Sequence, residues 1–214
     1  MKKNKGFFIS GTDTDVGKTI VSAVIVNKLD AFYWKPIQCG VDKLGFSDSD
    51  KIHNLLNLKK DRVFPERYFF KQAISPNLAA KKSGVRVSLD SLKFNFSKIR
   101  KPLIVEGAGG LLVPINNKHF VVDIIKVIGL PVILVARTSL GTINHTLLSL
   151  EALITRKQKV FGIIFVGKKN NIVLKTINDF SKKIDKQINI LGRIPIYKKV
   201  NLKNIKKASN LIKI

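Results

Sequence analysis

The stretch SGTDTDVGKT, residues 10–19, has the residue types of a phosphate-binding loop. Gly17 permits close backbone approach, the Lys18 ammonium can reach outer phosphates, and the Thr19 hydroxyl suits Mg²⁺. A helix opening here adds N–H donors and a favourable dipole for an anion. The spacing is unusual: five residues, not four, separate Gly11 from Gly17, and Thr12 stands where glycine is common. Two aspartates, Asp13 and Asp15, put negative charge into a loop built for anions, so this loop is suited to more than phosphate. Further along, Glu106 ends the apolar run PLIVE and precedes GAGG. A carboxylate there can hold Mg²⁺ directly or through water, and glycines leave room for backbone contact with a phosphate or base. Asp48 and Asp50, in FSDSDKI, are either metal ligands or helix caps.

These residues need a scaffold. Short apolar runs at 6–10, 31–34, 102–106, 131–136, 160–166 and 188–194 show little alternation, as parallel strands buried on both faces do. Helical patterns lie between them at 17–29, 48–58, 76–83, 88–99, 120–128, 142–157, 172–186 and 201–212. Ser47 or Asp48 suits the cap of the second, and Pro76 a first helical position. The segment 59–75 reads as irregular. The alternation predicts an α/β fold: a doubly wound, mostly parallel sheet with helices on both faces, P-loop NTPase-like, as a single domain over 1–214. In such sheets ligands sit at the carboxyl ends of strands. That is where Gly11 to Thr19, Lys35 to Gly40 and Glu106 to Gly110 fall.

Composition narrows the classes. The formal net charge is +25, yet 32 of the 39 basic residues are Lys and 7 are Arg. Base readout and bidentate phosphate grip favour Arg. Lys, Ile and Asn, which share A/T-rich codons, supply 75 residues, and the lysines are dispersed from residues 2–5 to 198–207. A solvated surface accounts for this better than a nucleic-acid face, although the basic field can concentrate anionic substrates. One cysteine, Cys39, excludes an internal disulfide and fits a reducing compartment. The amino-terminal apolar stretch is too short for a signal peptide, and no apolar run is long enough to span a bilayer. The expectation is a cytoplasmic protein with no membrane partner.

Eight segments, in order along the chain, resemble the dethiobiotin synthetase family: GTDTDVGKT (11–19), KPIQCG (35–40), SDSD (47–50), SPNLAA (75–80), VEGAGGLLVPI (105–115), LPVILVA (130–136), LGTINHTLLS (140–149) and GRIPIY (192–197). The resemblance implies a C–N bond-forming ligase of biotin biosynthesis, acting on 7,8-diaminopelargonic acid, CO₂ (or bicarbonate) and ATP with Mg²⁺. It implies capture of CO₂ by one amine as a carbamate, then phosphorylation to a carbamic–phosphoric anhydride, then ring closure by the second amine.

The same resemblance implies the site residues. Lys18, Lys35 and Thr14 would be catalytic: Lys18 on the transferring phosphate, Thr14 close to the carbamate, and Lys35 on the carbamate itself. Asp15, Val16, Gly17, Lys18, Thr19, Ile20, Asp50, Glu106, Gly107, Ala108 and Gly109 would hold the nucleotide, with Pro195, Ile196 and Tyr197 bordering the base. Thr19, Asp50 and Glu106 would form the Mg²⁺ cluster. Thr14, Asp15 and Cys39 would face the substrate. Gly141, Thr142, Ile143 and Asn144, at a helix start, would bind its tail carboxylate from the partner subunit of a homodimer. Asp15 answers the charge puzzle, since a carboxylate beside the loop can bond a cationic diamine. Asp13 is assigned to bracing the loop.

Two departures stand out. Cys39 replaces a small hydroxyl residue, and a thiol is a weaker donor. Val166 and Gly167 stand where family members that read adenine carry Asn-Asp. A rival reading is a partition or metal-delivery ATPase of the same P-loop class, which carries a second lysine at about the position of Thr12. An amidotransferase would need a further domain with a Cys nucleophile and His.

Overall fold

The computed structural model describes residues 6–214; the basic residues within 2–5 lie outside the described residues. Seven strands form the main sheet: β1 (Gly6–Gly11), β2 (Phe32–Trp34), β4 (Val63–Phe64), β6 (Leu103–Gly110), β7 (Val132–Arg137), β8 (Val160–Val166) and β9 (Ile190–Ile194). Their order is β4-β2-β6-β1-β7-β8-β9, and every recorded pairing is parallel. Parallel pairing needs crossovers, and the apolar strands need cover on both faces. Among the described residues, seven α-helices serve both needs: α1 (Lys18–Leu29), α2 (Asp48–Leu56), α3 (Pro76–Lys82), α4 (Val121–Ile128), α5 (Thr142–Thr155), α6 (Asn171–Ile184) and α7 (Leu202–Ser209).

The period of a strand sorts the core into two layers. In β1, Phe7 and Ile9 pack with Val21 and Ile25 of α1 and with Ile205 of α7. Phe8 turns to the other face, where α4 and α5 contribute Val121, Ile125, Leu150 and Leu153. The helices therefore clamp a sheet whose central strand, β1, is buried along its whole length. The chain runs from β1 outward to β2 and β4, returns to β6, and then crosses β1 to reach β7, so the strand order reverses at β1 and leaves at its carboxyl end the switch point where open α/β sheets bind ligands.

Two expectations are corrected. The helix expected over 88–99 is absent; 3₁₀ turns at Asp90–Leu92 and Phe96–Lys98 occupy the segment. Phe94 sits against Trp34, Phe64 and Phe96, with ring centroids 5.2 Å apart in each case. Side chains also take backbone partners there: Asn95 Oδ1 accepts from the Ser97 N–H, which competes with helix bonding. The segment 59–75 is not irregular throughout. It carries β4 and β5 (Tyr68–Phe70), and β5 pairs in parallel with β3 (Ile37–Cys39) in a second, two-stranded sheet. Strands of two and three residues are too short to show a period. Among the described residues no helix is long and apolar enough to cross a membrane.

Candidate active site

The loop after β1 is braced from several sides. The Thr12 N–H donates to the Val135 carbonyl at 3.0 Å, which ties the loop to β7. Asp13 Oδ1 accepts from the Thr14 N–H at 2.7 Å. Arg137, at the end of β7, donates to the Thr14 carbonyl at 2.9 Å and meets Asp13 Oδ2 at 3.3 Å. Asp13 is thus engaged in the loop's own architecture. Asp15 is exposed and holds a left-handed backbone, φ 53°. Gly17 lies at φ 97°, where a side chain is strained, and a Cβ there would lie 3.1 Å from Val166. Lys18 folds back so that Nζ donates to the Asp13 carbonyl at 2.8 Å. Burial lowers its pKa to about 8, against the opposing pull of Glu106. A cation so poorly solvated gains from an anion placed against it.

Beside the loop, Glu106 at 1% exposure gathers four donors from four positions in the chain. Thr19 Oγ1 donates to Oε1 at 2.9 Å, and Lys35 Nζ to Oε1 at 3.0 Å. Ser22 Oγ donates to Oε2 at 2.7 Å, and the Tyr33 hydroxyl to Oε2 at 3.0 Å. A buried carboxylate is tolerated only when paired and hydrogen-bonded, and this one is both. Lys35 follows β2, and its Nζ also meets Asp48 Oδ2 at 2.5 Å. Burial disfavours the ammonium, but Glu106 and Asp48 outweigh it and hold the Lys35 pKa above the ordinary lysine value. For Asp48 the balance runs the same way: burial pushes its pKa up, and Lys35 with Lys51 brings it below the usual value. Burial, then Glu106, pushes the Tyr33 hydroxyl well up, so it stays a donor.

A cavity of about 1200 Å³ opens over these groups. Of the residues expected at the site, Thr14, Asp15, Gly17, Lys18, Thr19, Ile20, Lys35, Cys39, Glu106, Ala108 and Gly109 line it. Val16 and Gly107 lie beneath as buried packing. Asp50 is not in the cluster. It is the third residue of α2, and its Oδ2 accepts from the Ser47 N–H (2.9 Å) and Ser47 Oγ (2.8 Å), closing a capping box. Asp48, the first residue of that helix, faces the cavity instead. Pro195, Ile196 and Tyr197 follow β9 but do not line the cavity; Val200, Asn201 and Leu202 do. Gly141, Thr142, Ile143 and Asn144 also lie outside it. Gly141 starts α5 at φ 86°, and Thr142 Oγ1 donates to the Arg137 carbonyl at 2.7 Å. Gly167 offers no base-reading side chain, and its backbone is engaged: its N–H donates to the Ile194 carbonyl (3.0 Å) and its carbonyl accepts from Arg193 (2.6 Å).

Arg137, Tyr33 and Ser22 are neighbours of the site that sequence reasoning did not place, and Asp48, left there as either a metal ligand or a helix cap, takes the cavity-facing position that the resemblance gave to Asp50. An acidic residue just inside a capped helix start was the available signal for Asp48, and a strand-end position the signal for Arg137. Cys39 makes a separate point. Burial raises its thiol to about 11 despite the nearby Lys35. At pH 8 its alkylation by iodoacetamide is expected to run about a hundredfold slower than that of a free cysteine, since thiolate is the reactive form. A rate near the free value, read by mass spectrometry, contradicts that environment.

The donor set bears on metals. Among the described residues no group of three or more His, Cys, Asp or Glu forms a metal cage. Mg²⁺ does not require one, because it keeps waters and takes one or two carboxylates plus substrate phosphates. Asp48, Glu106 and the Thr19 hydroxyl beside the loop fit that pattern.

A family model described as an AAA domain matches residues 5–204. The ATP-dependent dethiobiotin synthetase BioD of Rhodopseudomonas palustris (strain BisB18) is 44% identical over 187 residues, 87% of this chain and 85% of the relative. That of Bradyrhizobium diazoefficiens is 41% identical over 192 residues, 90% of this chain and 87% of the relative. That of Brucella melitensis biotype 2 is 38% identical over 193 residues, again 90% and 87%. Among solved structures, the MinD cell division protein of Aquifex aeolicus superposes with a TM-score of 0.56 at 13% identity, covering 96% of this chain and 95% of that one. A putative plasmid partition protein of Borrelia burgdorferi gives 0.51 at 17%, covering 98% of each chain. Those likenesses establish the α/β P-loop fold.

Proposed function

The chain belongs to the dethiobiotin synthetase family, an ATP-dependent ligase family of biotin biosynthesis, and on that premise we propose how its own residues perform the synthesis. The observation that carries the proposal is the meeting of three distant segments: the Lys18 loop, Lys35, and Glu106, with Lys35 Nζ 3.0 Å from Glu106 Oε1. The substrate is 7,8-diaminopelargonic acid, taken with CO₂ and ATP. One amine attacks CO₂ and loses a proton, giving a carbamate. A carbamate oxygen takes the γ-phosphoryl group as ADP leaves, and the second amine then attacks the carbonyl carbon and expels phosphate.

The chain's part is positioning and charge stabilisation. Lys18 and the N–H groups opening α1 bind the phosphates. Asp15, exposed at the cavity wall, pairs with an amine; Thr14 orients the carbamate, and Lys35 offsets its charge. Cys39 borders the substrate. Gly141, Thr142, Ile143 and Asn144 hold the tail carboxylate from the partner subunit of a homodimer, through N–H groups at the start of α5. Asp48, Thr19 and Glu106 would hold Mg²⁺, which would supply neutralisation of phosphate charge. The partition-type ATPase is not favoured: Thr12 stands where its second lysine belongs, and the relatives at 38–44% identity are dethiobiotin synthetases.

The choice of Asp48 over Asp50 is testable. Asp48→Asn is expected to raise the Mg²⁺ concentration for half-maximal turnover at least about tenfold, as loss of a charged ligand should. Asp50→Ala is expected to cost about 1 kcal/mol in urea unfolding, the worth of a cap, and to leave the Mg²⁺ requirement alone. The reverse pattern would return Asp50 to the metal cluster. For the reaction itself, ¹³C-bicarbonate should label the ureido carbon of the product, read by mass spectrometry, only when ATP and the diamine are present. A product without the label would rule out this chemistry.

A further inference from the structure

We propose that Lys35 is the resident counter-ion of the metal site, and that a divalent cation enters by displacing its ammonium, which frees Lys35 for the carbamate. The inference rests on the assignment of Asp48, Thr19 and Glu106 as the metal-holding set. Its ground is the allocation of oxygens. Glu106 Oε2 is taken up from within the protein by Ser22 (2.7 Å) and Tyr33 (3.0 Å), both fully buried. The Asp48 Oδ1 oxygen faces Lys51 at 3.7 Å, and that lysine is shared with Asp42 at 3.6 Å. That contact is longer than a hydrogen bond; the carboxylate oxygens that converge on one point are Glu106 Oε1, to which Thr19 donates, and Asp48 Oδ2. Lys35 Nζ sits between these two, 3.0 Å from the first and 2.5 Å from the second.

A cation held by Asp48, Glu106 and Thr19 needs the same two oxygens. Mg²⁺ binds oxygen at about 2.0–2.1 Å in a near-octahedral shell. An ammonium hydrogen-bonded to the same oxygens stands in that shell, so the two occupants exclude each other. Lysine is suited to leave: it is a point charge on a flexible four-carbon stem, and Lys35 lines the cavity that Lys18 and Asp15 also line. Before metal arrives, Lys35 neutralises two carboxylates that would otherwise repel each other. Once metal takes over that task, the ammonium is available on the substrate side. Metal loading and delivery of the catalytic lysine become one event.

The test uses the native protein and Mn²⁺ alone as the probe. Binding is followed by electron paramagnetic resonance, and lysine accessibility by reductive methylation with peptide mass spectrometry. Without metal, Lys35 should react more slowly than an exposed lysine such as Lys203. Saturating Mn²⁺ should speed Lys35 at least fivefold and leave Lys203 unchanged. Lys35→Gln, which removes the competitor, should bind Mn²⁺ at least tenfold more tightly. Unchanged or slower methylation of Lys35 under saturating Mn²⁺ overturns the proposal even if the variant fails to fold, and so does equal or weaker Mn²⁺ binding by a folded Lys35→Gln. Asp48→Asn and Glu106→Gln separate the two levels. If both lose Mn²⁺ while Lys35 stays protected, the metal set stands and displacement alone is wrong. If both bind as tightly as the native chain, the metal lies elsewhere and the assignment falls with the inference.

Discussion

Lys18→Ala is expected to lower diamine-dependent phosphate release at least about a thousandfold, equivalent to about 4 kcal/mol of barrier. The size follows from where the ammonium sits. It is 7% exposed and its present partner is the Asp13 carbonyl, a neutral acceptor. Burial has already lowered its pKa to about 8, so the charge is under-solvated before nucleotide arrives. Phosphate oxygens repay that desolvation, most fully as charge redistributes in the transition state, which is where catalytic binding energy counts. Alanine also leaves the loop without the bond to the Asp13 carbonyl, so Lys18→Met, of similar volume, is the companion variant. Both should fold, and both should lose turnover. A Lys18→Met protein that keeps more than a tenth of native activity removes this lysine from phosphate transfer.

Lys35→Ala is expected to abolish coupled turnover to a similar degree while changing ATP affinity only a few-fold. Its contacts are with Glu106 and Asp48, not with the loop backbone, so its loss should fall on kcat more than on the KM for ATP. Truncation also strands two largely buried carboxylates, and breaking a buried pair costs about 3–5 kcal/mol. Unfolding curves should therefore be run beside the kinetics, with Mg²⁺ present and absent. Added Mg²⁺ is expected to restore much of the lost stability and none of the turnover. Full activity in this variant would exclude Lys35 from the chemistry.

Much of the scaffold was legible because its signals are local. β1, β7 and β8 are buried on both faces and so read as unbroken apolar runs, and the glycine–lysine–threonine end of the loop marks the strand-to-helix turn. Ser47 capping and Pro76 opening a helix were readable for the same reason. What escaped was set by tertiary context. The 88–99 segment has helical spacing on paper, yet Phe94 is held by Trp34 and Phe64 from elsewhere in the chain. Asp48 and Asp50 share a residue type and a helix turn; only the capping geometry shows that position three bends back to Ser47 while position one faces the cavity. Tyr33 and Ser22 lie 73 and 84 residues from Glu106, and no spacing rule joins them. The cavity wall after β9 is similar, since Val200 to Leu202 reach the cavity through the path of the chain rather than through any motif.

The most direct measurement is phosphate release with ATP and Mg²⁺, with diaminopelargonate and bicarbonate each supplied or withheld. Release is expected only with both present, one phosphate for each dethiobiotin formed. Steady release of the same rate without the diamine would mean that the Lys18 loop, Lys35 and Glu106 serve an ATPase, and would contradict ring closure as the work of this site.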